Sequence, residues 1–325
     1  MRVLIVGAGA VGQVYGLALQ RAGADVSFYV KPAYIDEAKA GYTMYALNGG
    51  PTRLRFEGFG VLSTPEEVAA STWDQLWLAT SATAILGSWV EALVAATGDA
   101  TVVCLQPGPE SMARLKPVVG DRMVLGLIAM VSYQAPLPRE TRFTEPGVAF
   151  WFPPSGSPFA GPDARVAPIV DALVRGGCPA QRSAALEATA VYGAALLQVH
   201  VAALDAVGWS WTEVTKGDTL LLASRAWREA AAVGAHITGG KVPFWAGFVG
   251  PLLSKIAMAG SRRLIPLDLP TYFAYHFTKV GDQTRANLDY WIHRGEASGL
   301  PVSSLKELRS RMRPEARFDP AVDLG

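Results

Sequence analysis

A doubly wound α/β domain followed by an all-helical domain is the fold this sequence predicts, on three observations. Short apolar runs alternate with helix-like stretches through the first half. A glycine-rich turn stands directly behind the first of those runs. Strand signals nearly vanish after Leu186, where long helical stretches take over.

Taken in order, Val3–Val6, Val26–Val30, Leu76–Ala79, Thr101–Leu105 and Met123–Ile128 are short, branched and bounded by turn residues, so each predicts a buried strand. Between them, Gln13–Ala22, Ser81–Ala96 and Ser111–Lys116 predict helices. Strands alternating with helices imply a parallel sheet with crossovers on both faces. Tyr42–Val61 departs from that rhythm: TMYAL and TRLRFEG flank Asn48-Gly49-Gly50, which predicts a hairpin inserted in the α/β pattern. Val148–Phe152 reads as a further strand, Pro153–Pro162 as a loop rich in Pro, Gly and Ser, Asp163–Arg175 as a helix and Ala180–Ser183 as a short closing run. The second half predicts helices over Leu186–Val207, Trp211–Ala232, Phe248–Ala259, Thr271–Ser298 and Ser303–Met312. The domain boundary is placed near residue 185, giving domains 1–185 and 186–325.

Composition narrows the function classes. At 325 residues and 50% hydrophobic, the chain holds ample core material for two domains, and dominant disorder is excluded. With 29 Lys+Arg against 28 Asp+Glu, it lacks the charge footprint of a nucleic-acid binder. Cys104 and Cys178 form neither a disulfide framework nor a zinc site, and no metal cluster is legible. A reducing, cytoplasmic setting fits this usage. The start, MRVLIVGAGAVG, opens as a signal peptide would, yet Gly7, Gly9 and Gly12 interrupt it and no cleavage site follows. The most membrane-like stretch, Ala188–Leu204, holds Gln198 and His200 and reads as a buried domain helix, so no membrane partner is expected. The basic run from Lys306 to Arg317 contains Glu307 and Glu315 and reads as a solvated helix end.

Gly7-Ala8-Gly9-Ala10-Val11-Gly12 is G-x-G-x-x-G, placed behind a strand and opening a helix, the context that the motif requires. Gly7 allows the tight turn, Gly9 the close approach of a pyrophosphate, and Gly12 the packing of helix on strand. The helix N-terminus adds free N–H groups and partial positive charge. NAD-binding folds usually end the second strand in Asp or Glu, which accepts from the ribose hydroxyls. Here Lys31 stands at that end, and Asp25 lies at the strand's start, on the wrong side of the sheet. A cation suits the 2′-phosphate, so NADP(H) is favoured over NAD(H); a solvated surface lysine is the alternative.

These residues resemble the ketopantoate reductase (2-dehydropantoate 2-reductase) family. The likeness rests on MRVLIVGAGAVGQVYGLALQRAGADVSFYVK, on LQPGPES after the fourth core strand, and on the helical second half ending NLDYWIHRGEASGLPVSS. It implies a Rossmann domain, an all-helical domain, and hydride transfer from NADPH to the ketone of a branched 2-oxo acid held between them. Carried over by position, it puts Thr80 and Gln106 beside the cofactor. Where the family has Gln-Asn-Gly this chain has Gln106-Pro107-Gly108, and no lysine follows Ala79. The family's K-x-x-x-N-x-x-x-N positions fall on Ala194, Gln198 and Ala202, its helical glutamate on Gln283, and its substrate serine on Thr271. No lysine occurs between Leu186 and Thr215, so the usual proton donor is missing whatever the register.

A replacement is sought on the stretch read as one helix, where Thr271, Tyr275, Lys279 and Gln283 recur every four residues and drift about 40° per step. Lys279 becomes the candidate proton donor, with Tyr275 or His276 next; the alternative is a solvated lysine. Gln198, Thr271 and Tyr275 are assigned to substrate, and Gln283 to the nicotinamide ribose. His200 falls off that stripe and reads as a structural histidine, while Asp205 either orients substrate or bonds a neighbouring helix. Nine tryptophans, five of them Trp209, Trp211, Trp227, Trp245 and Trp291, suit core packing, an oligomer interface or a larger, less polar pocket. A homodimer through the second-half helices is expected. Two functions stay open: an NADPH-dependent reductase of a small-molecule ketone or imine, and a catalytically silent NADP(H)-binding sensor or scaffold.

Overall fold

The structure is a computed structural model and describes residues 1–106 and 108–314. Pro107 and the tail beyond Pro314, with Glu315 and Arg317, lie outside the described residues. The chain divides into two units: Met1–Pro136 with Glu140–Ala190, and Leu137–Arg139 with the chain from Val191 on. The division falls inside a helix, five residues beyond the boundary expected near residue 185.

In the first unit the strands are β1 (Arg2–Val6), β2 (Asp25–Tyr29), β3 (Tyr42–Ala46), β4 (Thr52–Phe56), β5 (Gly60–Leu62), β6 (Gln75–Leu78), β7 (Thr101–Cys104), β8 (Met123–Gly126), β9 (Val131–Ala135), β10 (Gly147–Trp151), β11 (Ser157–Ala160) and β12 (Ala180–Arg182). Its helices are α1 (Ala10–Arg21), α2 (Ile35–Lys39), α3 (Pro65–Ala69), α4 (Ala82–Ile85), α5 (Trp89–Ala96), α6 (Pro109–Val119) and α7 (Asp163–Arg175). An eight-stranded sheet runs β5-β2-β1-β6-β7-β8-β11-β12. Its first six strands follow the doubly wound dinucleotide-binding order, which reverses direction at β1. Neighbouring residues along these strands enter different cores: Val3 and Ile5 join one face with Trp77 and Val103, while Leu4 and Val6 join the other with Leu76 and Val102. Burial on both faces is why the strands read as continuous apolar runs rather than alternating ones.

The hairpin around Asn48-Gly49-Gly50 is present, β3 pairing antiparallel with β4 from Tyr42↔Phe56 to Ala46↔Thr52. It belongs to a second, four-stranded sheet, β4-β3-β10-β9, that pattern reading did not foresee. The segment Pro153–Pro162, read as loop, contains β11, antiparallel to β8 and parallel to β12. Its Pro, Gly and Ser content signals a loop locally, and two flanking strands override it. The large sheet is therefore not wholly parallel. The predicted helix Ser81–Ala96 is two helices: the Trp89 indole lies so close to Gly87 that a Cβ there would meet it at 2.7 Å, and its Nε1 donates at 2.9 Å to the Ala84 carbonyl, which also accepts from the Gly87 amide at 3.0 Å.

From Leu186 the helices are α8 (Leu186–Ala206), α9 (Trp211–Lys216), α10 (Thr219–Thr238), α11 (Pro251–Leu264), α12 (Leu269–Lys279), α13 (Gly281–Ala297) and α14 (Ser303–Arg311). Two further predicted helices are broken, Trp211–Ala232 at Gly217-Asp218 and Thr271–Ser298 at Val280-Gly281. Glycine costs about 1 kcal/mol in a helix interior, so each break falls at a weak point. In the second unit α10 is central, packed by α9, α11, α13 and α14, with Trp227 fully buried among Ala223, Ala226 and Ala230. One long-range cap holds α14. No side chain of its own caps it, and Glu229 on α10 instead accepts from Ser303 Oγ (3.2 Å), Ser304 N (3.0 Å) and Leu305 N (2.9 Å). Glu229→Ala should cost about 1–2 kcal/mol, the worth of a helix cap, measured by urea unfolding. A loss within about 0.5 kcal/mol, as at an ordinary surface site, would refute the role.

Candidate active site at the sheet edge

The parallel register places Tyr29, Val6, Leu78 and Cys104 in one row across β2, β1, β6 and β7. Two residues on, in the same four segments, stand Lys31, Ala8, Thr80 and Gln106. With strands about 4.8 Å apart, these positions span roughly 15 Å along the C-terminal edge. The sequence-predicted cofactor residues of the first unit therefore share one edge, where the strand order reverses and ligands of such sheets bind.

The three motif glycines have three separate physical reasons. Gly7 has φ +94°, and a Cβ there would meet the Ala79 carbonyl oxygen at 3.0 Å and Thr80 Cγ2 at 3.2 Å. Gly12 lies so close to the turn that its Cβ would sit 2.1 Å from the Gly7 carbonyl oxygen. At Gly9 a Cβ would meet nothing within 4 Å. Packing thus requires Gly7 and Gly12, whereas Gly9 borders open space. Gly9 is also the N-cap of α1, no side chain caps that helix, and its first turn has no acid. The amides and dipole of a twelve-residue helix are left for an anion.

Two buried oxygens near this loop have no partner, Thr80 Oγ1 and Gln13 Oε1. Gln13 was not foreseen. It is 3% exposed, and its Nε2 donates to the Ala8 carbonyl at 2.8 Å, fixing the loop. Its one sequence signal is a polar residue directly after the last motif glycine, on the buried side of the helix. An open cradle at Gly9, an uncapped helix and the unpartnered Thr80 hydroxyl, which can donate, fit a dinucleotide phosphate; the Gln13 amide oxygen accepts only and does not add to that fit. Lys31 is exposed.

In the second unit the predicted set fares differently. Gln198 is half-buried on α8 and its Oε1 lacks a partner, whereas Ala202 is fully buried in the helical core. The Ala194–Gln198–Ala202 stripe therefore does not line one surface. Thr271 is 5% exposed and its hydroxyl donates to Asp268 Oδ2 at 2.6 Å, so it closes the N-terminus of α12. Tyr275 and His276 are half-buried on α12, and Lys279 is its exposed last residue. The common face expected for Lys279 and Gln283 is corrected: Val280 breaks the helix, and Gln283 belongs to the first turn of α13.

His276 stacks on Tyr272 with ring centroids 5.3 Å apart and meets Phe277 edge-on at 4.9 Å. Burial, then the Lys279 charge, pushes its imidazole down to about 4. His200 is satisfied at both ring nitrogens, by the Leu196 carbonyl and by Ser254 Oγ, each at 2.9 Å, and is structural as expected. Asp205 accepts from the Arg313 amide at 3.0 Å. Burial raises its carboxyl, and the Arg313 and Arg285 charges oppose that. Of its two expected roles, the bond to a neighbouring segment is the one observed.

Residues 3–155 match the family model described as ketopantoate reductase PanE/ApbA. No curated protein matches the chain. Among solved structures, the chain is similar to a PanE/ApbA family ketopantoate reductase from Ralstonia eutropha JMP134, with 20% identity over 96% of this chain and 97% of that one and a TM-score of 0.73. A D-mandelate dehydrogenase solved with NADH and anilino(oxo)acetate gives 16% identity, 96% and 97% coverage, and a TM-score of 0.71. A 2-dehydropantoate 2-reductase from Geobacter metallireducens GS-15 gives 18%, 96% and 99%, and 0.70. Residues 3–155 are thus similar to the ketopantoate reductase PanE/ApbA family, and over nearly its whole length the chain has the fold of those solved reductases.

Proposed function

We propose that this chain is an NADPH-dependent reductase of a small-molecule ketone, either a 2-oxo acid or a bulkier carbonyl or imine. The observation that carries the reading is the glycine loop, where packing dictates Gly7 and Gly12 and open space at Gly9 faces an uncapped helix. The bound nicotinamide supplies the hydride, and a proton completes the alcohol. Amides at Gly9–Gly12 hold the pyrophosphate, Thr80 and Gln106 line its path, and Lys31 takes the 2′-phosphate. Gln198 and Tyr275 orient the substrate in this reading, and Gln283 reaches the nicotinamide ribose. Lys279 delivers the proton to the developing alkoxide.

Fluorescence titration and NADPH oxidation test this together. Lys31→Ala should weaken NADPH binding about tenfold or more, the worth of a hydrogen bond to a charged group, and leave NADH binding unchanged. Equal effects on both cofactors would refute the NADP(H) assignment. Turnover of a 2-oxo acid that survives Lys279→Met would remove Lys279 as donor. Dinucleotide binding with no turnover across ketones and imines would leave the sensor reading instead.

A further inference from the structure

Beyond the end of α8 the second unit holds a cavity of about 20 Å³, bordered in part by Asp205, Trp209, Thr278, Gly281, Arg285 and Arg313. Two of these residues carry a buried polar atom that finds no partner among the described residues, Trp209 Nε1 and Thr278 Oγ1. Folded proteins leave few such atoms, and a pair on one cavity points to an occupant. Trp209 is 3% exposed. Its φ of +64° is one that bulky side chains rarely adopt, and Gly208 before it has φ +65°. The Trp209 amide bonds the Leu204 carbonyl at 2.8 Å, which closes α8 and holds the residue at the cavity.

The charge of the lining selects the occupant. Arg285 and Arg313 bring two positive charges, and Asp205 brings one negative. Asp205 is already engaged: its Oδ2 accepts from the Arg313 amide at 3.0 Å, and its Oδ1 lies 3.7 Å from Arg313 Nε. Arg285 in turn donates to the Arg313 carbonyl at 2.6 Å. Gly281 opens α13, a helix of 17 residues with no side-chain cap, so its positive end borders the same space. Asp282, in that first turn, accepts from the Gln283 amide at 2.8 Å and does not border the cavity. One positive charge is therefore left over, beside an indole that only donates. A water molecule would add two protons of its own to a lining whose carboxylate is taken. A monovalent anion accepts from both orphan groups and balances the charge. A water-sized occupant takes roughly 10–15 Å³ of such space, so about 20 Å³ suits one ion and not a tetrahedral oxyanion.

We propose that this cavity binds a single chloride ion, held by Trp209 Nε1, the Thr278 hydroxyl and the Arg285 guanidinium. Thr278 and Gly281 flank the break between α12 and α13, so the ion ties both helices to the segment that follows α8.

Thermal unfolding in potassium gluconate, with chloride replacing gluconate at constant ionic strength, reads the site. The melting temperature of the unmodified chain should rise and saturate, because a ligand of the folded state stabilises it by mass action. Thr278→Val nearly keeps the shape and removes the hydroxyl. It should need about tenfold or more chloride for the same rise, the worth of one hydrogen bond to a charged group. Crystals of the unmodified chain grown in sodium bromide should show an anomalous peak between Trp209 Nε1 and Thr278 Oγ1. No rise with chloride would overturn the proposal, as would an equal rise in the variant, which would put the ion elsewhere. A bromide-grown crystal with only water in the cavity would overturn it equally.

Discussion

Gly9→Ala should leave folding nearly untouched and abolish dinucleotide binding, while Gly12→Ala should damage both. The two glycines are three residues apart in one motif, and the sequence reading gives them different tasks, pyrophosphate approach at Gly9 and helix packing at Gly12. A methyl on Gly9 meets no protein atom within 4 Å, and its φ of −73° and ψ of −178° suit alanine. The folding cost is then at most that of an altered N-cap, about 1 kcal/mol or less. The same methyl fills the space a pyrophosphate would enter, so affinity should fall at least about a hundredfold, or roughly 3 kcal/mol. At Gly12 the methyl lands 2.1 Å from a backbone oxygen that cannot move without reshaping the turn. Overpacking of that kind costs about 1–3 kcal/mol or more. Melting temperature and NADPH fluorescence on both variants check it. A Gly9→Ala protein that binds NADPH like the parent would remove the phosphate site from the glycine loop.

Acid should destabilise the second unit through His276. Its imidazole titrates near 6.5 when unfolded and is pushed down to about 4 in the fold, by burial against Tyr272 and Phe277 and by Lys279. Above pH 6.5 both states are neutral and the ring costs nothing. As pH falls below 6.5 the unfolded chain takes a proton that the folded chain refuses until about pH 4. Stability present above pH 6.5 is therefore lost progressively across that window, to a total of about 3 kcal/mol. His276→Phe keeps a ring on Tyr272 and removes the titration. Urea unfolding at pH 7.5 and 4.5 should show a pH-dependent loss in the parent that is smaller by about 2–3 kcal/mol in the variant. Parallel pH profiles would mean that the ring is protonated without cost in the fold. A neutral His276 is also a poor acid at pH 7, which is why it does not replace Lys279 as proposed donor.

The candidate site was legible in the first unit and only partly in the second. A glycine loop is a local signal: its strand, turn and helix are adjacent in sequence, and the register of parallel strands carries Lys31, Thr80 and Gln106 to the same edge. Gln13 escaped because its role depends on burial rather than on residue type. On α12 and α13 the four-residue spacing was real, but spacing defines a face only while one helix continues, and Val280 ends it. Thr271 is chemically able to meet a substrate; Asp268, three residues earlier, engages its hydroxyl instead.

By itself the sequence determined the α/β-then-helical order, the buried strands β1, β2, β6, β7 and β8, the hairpin β3–β4 and the glycine loop. All of these rest on periodicity, branching and turn chemistry within a few residues. Tertiary structure alone decided that β3 and β4 join β10 and β9 in a separate sheet, that a Pro- and Ser-bearing loop becomes β11, and that α14 is capped by Glu229. The physical reason is common to these cases. Each depends on partners distant in sequence or on the space left between packed atoms, and no local pattern encodes either.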